Sequence, residues 1–207
     1  MRGGRPGRSA GFGRQLLRVA ALVVVGFAGA RSHAAAQDPA VLYIGGFALA
    51  SVVPSVLLDW PELDARRSMF KAGFARFDAV DRENEAWDLT FEFQPGFAWH
   101  RIKPLVGMSR NSDGATYTWL AGALDLHVGE HLIANINSGP ALYFPGASGK
   151  VLGSFGVLRS GFEVGVRIAD VARTTLSFHH MSHGKLMNRN WNPGTETIGM
   201  SFWWTVG

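Results

Sequence analysis

The sequence predicts an all-β fold, an eight-stranded antiparallel transmembrane β-barrel, on three observations. From Met69 onward, short segments alternate apolar and polar residues with a period of two, the pattern of strands with one greasy face. Most of these segments are near the roughly 9–11 residues that a tilted strand needs to cross a bilayer. The chain holds no cysteine, so an exported domain of this size needs stability from something other than disulfides. Closing a sheet inside a membrane supplies it, because every strand then has two partners.

Export is read from residues 1–36. Arg2, Arg5, Arg8, Arg14 and Arg18 lead into the apolar run VAALVVVGFAGA, and Ala34, Ala35 and Ala36 follow, which predicts a signal peptide cleaved before Gln37. An uncleaved membrane anchor is the alternative. The segment carries six arginines and no acid, so the remainder has a formal charge of −2 against +4 for the whole chain. The basic balance therefore belongs to the leader. No run of basic residues interleaved with aromatics follows it, which excludes a nucleic-acid footprint.

Residues 37–67 form an N-terminal extension whose apolar run VLYIGGFALASVVPSVLLDW is broken by Gly45, Gly46 and Pro54. It is expected to add a strand or to fill the barrel mouth. The barrel itself is placed at 68–207. Its strands are read at 69–79, 87–94, 102–110, 115–129, 132–144, 157–169, 173–183 and 196–206, separated by turn-like stretches such as VDRENEA, RNSDGA and PGASGK. In 157–169, Leu158, Phe162, Val164, Val166 and Ile168 oppose Arg159, Gly161, Glu163, Gly165 and Arg167.

A soluble sandwich would show the same alternation. Two features favour a barrel of the outer-membrane type. The polar face holds paired charges such as Arg159 and Glu163 with many glycines, which suits a narrow interior filled by side chains. Trp87, Trp99, Trp119, Trp203 and Trp204 gather near strand ends, as interfacial girdles do.

One stretch departs from simple patterning: SFHHMSHGKLMNRNWNPGTETIGMSFWW, residues 177–204. His180 and Ser182 share a face with Leu176 and Phe178, their Cα atoms roughly 6.5 Å apart along a strand. Glu196 shares its face with Ile198, Met200, Phe202 and Trp204. Three polar residues on a lipid-facing surface are costly unless they pair or have a function. A serine hydroxyl needs a base to become a nucleophile, and a histidine base needs a third group to fix its tautomer. Ser182, His180 and Glu196 can fill those roles. Asn192 and the backbone amides of His183 and Gly184 are the candidate donors to an oxyanion. His179, on the opposite face, is assigned to the interior or the interface.

FHHMSHG followed by NPGTE resembles the signature of the outer-membrane lipid A 3-O-deacylases of the PagL type. FEFQPG, the stretch IKPLVGMSRNSDGATYTWLAGALDLHVGE and SGFEVGVR extend the likeness over residues 69–207. The resemblance implies an eight-stranded outer-membrane barrel that hydrolyses the ester holding a 3-hydroxyacyl chain at the 3-position of lipid A. It implies Ser182, His180 and Glu196 as the catalytic triad and Asn192 as an oxyanion-hole residue. His183 and Gly184 stand where the family has asparagine and alanine. The substrate partner implied is lipid A within lipopolysaccharide, and a homodimer stays open. No cofactor and no metal are expected; Lys185 and Arg189 are either phosphate ligands or a solvated basic turn. A phospholipase or transacylase with the same triad, and an inactive structural barrel, are the alternative functions.

Overall fold

A computed structural model describes residues 67–99, 101–128, 131–187 and 191–206. The expected signal peptide and all but the last residue of the expected extension lie outside them, as does Arg189. Eight strands follow in order: β1 (Ser68–Phe77), β2 (Ala86–Gln94), β3 (Ile102–Asn111), β4 (Thr116–Val128), β5 (Leu132–Phe144), β6 (Gly156–Ala169), β7 (Ala172–Ser182) and β8 (Thr195–Val206). Each pairs antiparallel with its sequence neighbours, and β8 returns to β1, so the sheet is a closed barrel. The expected bounds hold to within two residues. The largest shift is at β1, which stops at Phe77 because Asp78 enters the left-handed region (φ 54°) and opens the turn.

Alternation sorts the side chains as expected. Phe74, Leu89, Val106, Leu120, Leu142, Val164, Leu176, Ile198 and Met200 are exposed on the outer wall, where lipid would cover them. Inside lie Lys71, Asp88, Glu92, Asn135, Asn137, Arg159, Glu163, Arg173 and His179, all buried. Buried charge is tolerable only when it is paired and hydrogen-bonded. Lys71 Nζ meets Glu92 at 2.9 Å and Glu163 at 2.6 Å, Arg159 meets Glu92 at 3.3 Å, and Arg173 meets Asp125 at 3.0 Å. Thr175 and the Trp203 indole N–H also donate to Glu163, at 2.7 and 3.2 Å.

Two sequence expectations change here. Arg159 and Glu163 are both interior, but the ion pairs they form run to Glu92 and to Lys71, across the lumen. Trp119 and Trp203 are not girdle residues: they are 3 % and 0 % exposed, with the Arg159 and Arg173 guanidinium groups 4.1 and 4.3 Å from their rings. Stacking on a cation gives each indole a reason to face inward. Gly107 makes room for the first, since a Cβ there would lie 2.3 Å from the Trp119 ring. Trp87 and Trp99 stay exposed, as a girdle requires.

The register aligns the outer wall of β5–β8 in rows. Ile136, Phe162, Phe178 and Ile198 form one, and Ala134, Val164, Leu176 and Met200 form the next. Above them, toward the rim built by the connections 78–85, 112–115, 145–155 and 183–194, lies a polar row of Ser138, Ser160, His180 and Glu196.

Candidate active site

The polar row meets the rim where β7 ends and β8 begins. His180 and Glu196 are direct cross-strand partners, and the imidazole Nδ1 lies 2.8 Å from Glu196 Oε1. A carboxylate accepts, so in the neutral ring Nδ1 carries the proton and Nε2 is the acceptor nitrogen. Ser182 sits on the same face two residues further along, at the last position of β7, and is 5 % exposed. The hairpin thus gathers the three expected residues at one corner of the wall.

Backbone fit holds the imidazole in place. A Cβ on Gly194 would lie 2.5 Å from His180 Cε1 and 3.2 Å from Nε2, so the chain before β8 packs against the ring edge where any larger residue would intrude.

The loop between the strands places the other candidates less evenly. Asn192 is half-buried, and its Oδ1 has no hydrogen-bond partner among the described residues. Gly184 is buried in the left-handed region (φ 57°), followed by exposed Lys185 (φ 62°). His183 is 1 % exposed, and its side chain is engaged elsewhere: Nε2 donates to the Trp191 carbonyl at 3.0 Å. The positions for Cβ on Gly153 lie 3.0 Å from the Trp191 ring and 3.2 Å from His183 Nε2, so His183, Trp191 and the β5–β6 connection form one packed unit. The imidazole of His183 is therefore a strap across the loop, which leaves its backbone amide as the candidate donor.

Sequence reading missed what stands behind Glu196. Asp78 is fully buried; its Oδ2 accepts the N–H groups of Glu83 and Asn84 at 3.0 and 2.8 Å, and its Oδ1 accepts Lys150 Nζ at 2.5 Å. The Ala79 N–H donates to the Glu196 carbonyl at 3.1 Å, which ties the β1–β2 turn to the start of β8. Burial alone would depress the Lys150 pKa, but the hydrogen bond it donates to Asp78 and the charges of Asp78 and Asp81 outweigh it and raise it above the ordinary lysine value. Asp78 could have been suspected only from its place in a turn.

Two groups of three metal-capable side chains occur among the described residues. Glu92, Glu163 and His179 cluster inside the barrel, and Asp78, Asp81 and Glu196 cluster at the rim, with ligand atoms within 4.8 Å of one another. Cations of the protein already serve both: Lys71 and Arg159 the first, Lys150 the second.

Comparisons with known proteins bear on the fold and the family. The chain is similar in structure to the outer membrane enzyme PagL (TM-score 0.53, 14 % identity), covering 67 % of this chain and 99 % of that one. It is also similar to the N-terminal β-barrel domain of Pseudomonas aeruginosa OprF (TM-score 0.51, 10 % identity, 68 % of this chain and 98 % of that one). At such identities the likeness speaks for the fold. No curated protein matches the chain. The family model for lipid A 3-O-deacylase (PagL) matches residues 72–205, from β1 to the end of β8 and well over half of the sequence, and the chain therefore belongs to the PagL lipid A 3-O-deacylase family.

Proposed function

We propose that this protein is an outer-membrane serine esterase that removes the ester-linked 3-hydroxyacyl chain from the 3-position of lipid A. The observation that carries the reading is the His180–Glu196 hydrogen bond on the outer wall, 2.8 Å long, with Ser182 on the same strand face. A charge-assisted pair there is costly in lipid, and a base fixed in one tautomer beside a serine is what acyl transfer needs. Family membership names the substrate class.

In this reading His180 Nε2 takes the proton from Ser182 Oγ as the oxygen attacks the ester carbonyl, and Glu196 holds the imidazolium that forms. The Asn192 amide and the backbone N–H groups of His183 and Gly184 receive the oxyanion. His180 then protonates the departing sugar oxygen, and water, deprotonated by the same imidazole, releases the acyl group from Ser182. The rim with the long connections faces outward, as the longer loops of outer-membrane barrels do, which puts Ser182 at headgroup depth in the outer leaflet. The acyl chain lies down the wall over Phe178, Met200 and Phe202. A depression of about 480 Å³ lined by Leu132, Val164, Val166, Leu176 and Met200 is on that path. Residues 1–36 serve as the export signal and residues 37–67 precede the barrel.

Mass spectrometry of lipid A from cells making the wild-type chain or Ser182→Ala tests the reading. The expected result is loss of one 3-hydroxyacyl chain with wild type only. Unchanged lipid A in both, with folded barrel in the outer membrane, rejects it in favour of another lipid ester or an inactive barrel.

A further inference from the structure

Glu196 sits where a strand begins, and strand ends fray. It is the second residue of β8, and the ladder with β1 ends one position short of it, at Phe77 opposite Thr197. The β1–β2 turn supplies the missing contact. Asp78 enters the left-handed region (φ 54°), and the N–H of Ala79 then reaches the Glu196 carbonyl at 3.1 Å. Aspartate adopts that backbone more readily than most residues, but it stays there only while its surroundings fix it. The N–H groups of Glu83 and Asn84 and the Lys150 ammonium close on the Asp78 carboxylate. Thr195 Oγ1, next to Glu196 in the chain, lies 3.5 Å from Asp78 Oδ1.

The same turn works against the site in one respect. It brings the carboxylates of Asp78 and Asp81 toward that of Glu196, with an oxygen of each within 4.8 Å of the others. Glu196 Oε1 takes the His180 N–H, while Oε2 is buried without a hydrogen-bond partner among the described residues. Like charges at that distance repel, which pushes the Glu196 side chain away from the two aspartates. Lys150 is placed to offset that push. It reaches Asp78 at 2.5 Å and Asp81 at 3.5 Å and is 5 % exposed. Its own carbonyl accepts the buried Tyr143 hydroxyl at 2.7 Å, which fixes the β5–β6 connection that carries it.

We infer that Lys150 is a positioning residue of the catalytic site: by neutralising the Asp78–Asp81 pair it keeps Glu196 turned to His180. The inference deepens the esterase reading, on which its rate measurement rests, while its structural half concerns the His180–Glu196 bond alone. A lysine acting only as a strut between loops is needed whatever the charge of its partners. A lysine acting by charge becomes dispensable once the carboxylate it offsets is gone.

The test compares wild type, Lys150→Met and Lys150→Met/Asp78→Asn, each as the full chain folded in detergent micelles. Two quantities are read: hydrolysis of a 3-hydroxyacyl glucosamine ester, and the NMR resonance of the His180 Nδ1 proton, identified by its absence in His180→Ala. Asparagine keeps the left-handed backbone and an oxygen for the turn N–H groups, so the double variant removes the charge pair and preserves the turn. Lys150→Met should lower kcat on the order of tenfold at nearly constant KM, as a misplaced Glu196 requires, and should lose the resonance to solvent exchange. The double variant should bring both back to the wild-type level. Either quantity unchanged in folded Lys150→Met overturns the inference, and so does a double variant as impaired as the single one. If Lys150→Met does not fold, the double variant decides alone: the wild-type resonance supports the inference and its loss overturns it. If wild type cleaves no ester, the esterase reading falls separately, and the resonance decides by the same outcomes.

Discussion

His179 and His180 are neighbours in the chain and belong to different worlds. His179 points into the barrel, is 3 % exposed and sits 3.7 Å from Glu163 among Lys71, Arg159 and Asn137. His180 points to the outer wall, partly open, with one carboxylate and an apolar surface beneath it. One residue of strand register decides between them. The interior shows how a barrel spends polar groups to fill a narrow lumen: each charge has several partners, so the network is rigid. The wall shows the opposite, a short polar row set on an apolar surface.

The difference can be broken from either side. The largest expected effect is on the wall: His180→Ala should lower ester hydrolysis by on the order of 10³-fold or more, with urea unfolding of the barrel unchanged. Inside, Glu163→Gln should do the reverse. It removes one of the two carboxylates that hold buried Lys71 and leaves Glu92 as the other, so unfolding should move by about 1–3 kcal/mol while hydrolysis below the transition survives. An interior change that abolished hydrolysis in a folded barrel would contradict the separation.

Gly194→Ala probes the boundary. The added methyl displaces the His180 ring, and a misplacement near 1 Å costs about 10²-fold in rate, so kcat should fall with little change in stability. The smallest effect belongs to the rim lock. Lys150 has a raised pKa in the folded state, so its contribution to stability is complete below the ordinary lysine value of about 10.4 and is lost as pH rises through the folded value. Alkaline unfolding should show that limb in wild type, whereas Lys150→Met, already destabilised by leaving Asp78 buried, should lack it.

The parts of this picture that the sequence made legible are the local ones. Period-two patterning assigns a face to every residue of β7 and β8, and a hairpin register brings His180 opposite Glu196, so the candidate site could be assembled from one stretch. Partners across the lumen could not. Arg159 on β6 reaches Glu92 on β2 only because β8 closes onto β1. The rim was equally hidden, since Asp78, Lys150 and Thr195 come from three separate segments that converge through loop packing. His183 illustrates the limit most clearly: its place in the motif suggests a donor to substrate, but its side chain is occupied by the Trp191 carbonyl.

The central claim is that Ser182, on the lipid-facing wall, is the activated nucleophile. Labelling the folded chain in micelles with a fluorophosphonate, followed by peptide mass spectrometry, tests it most directly. The account predicts a single adduct on Ser182 that disappears in His180→Ala. An adduct on another residue, or hydrolysis that persists with Ser182 unlabelled, would contradict it.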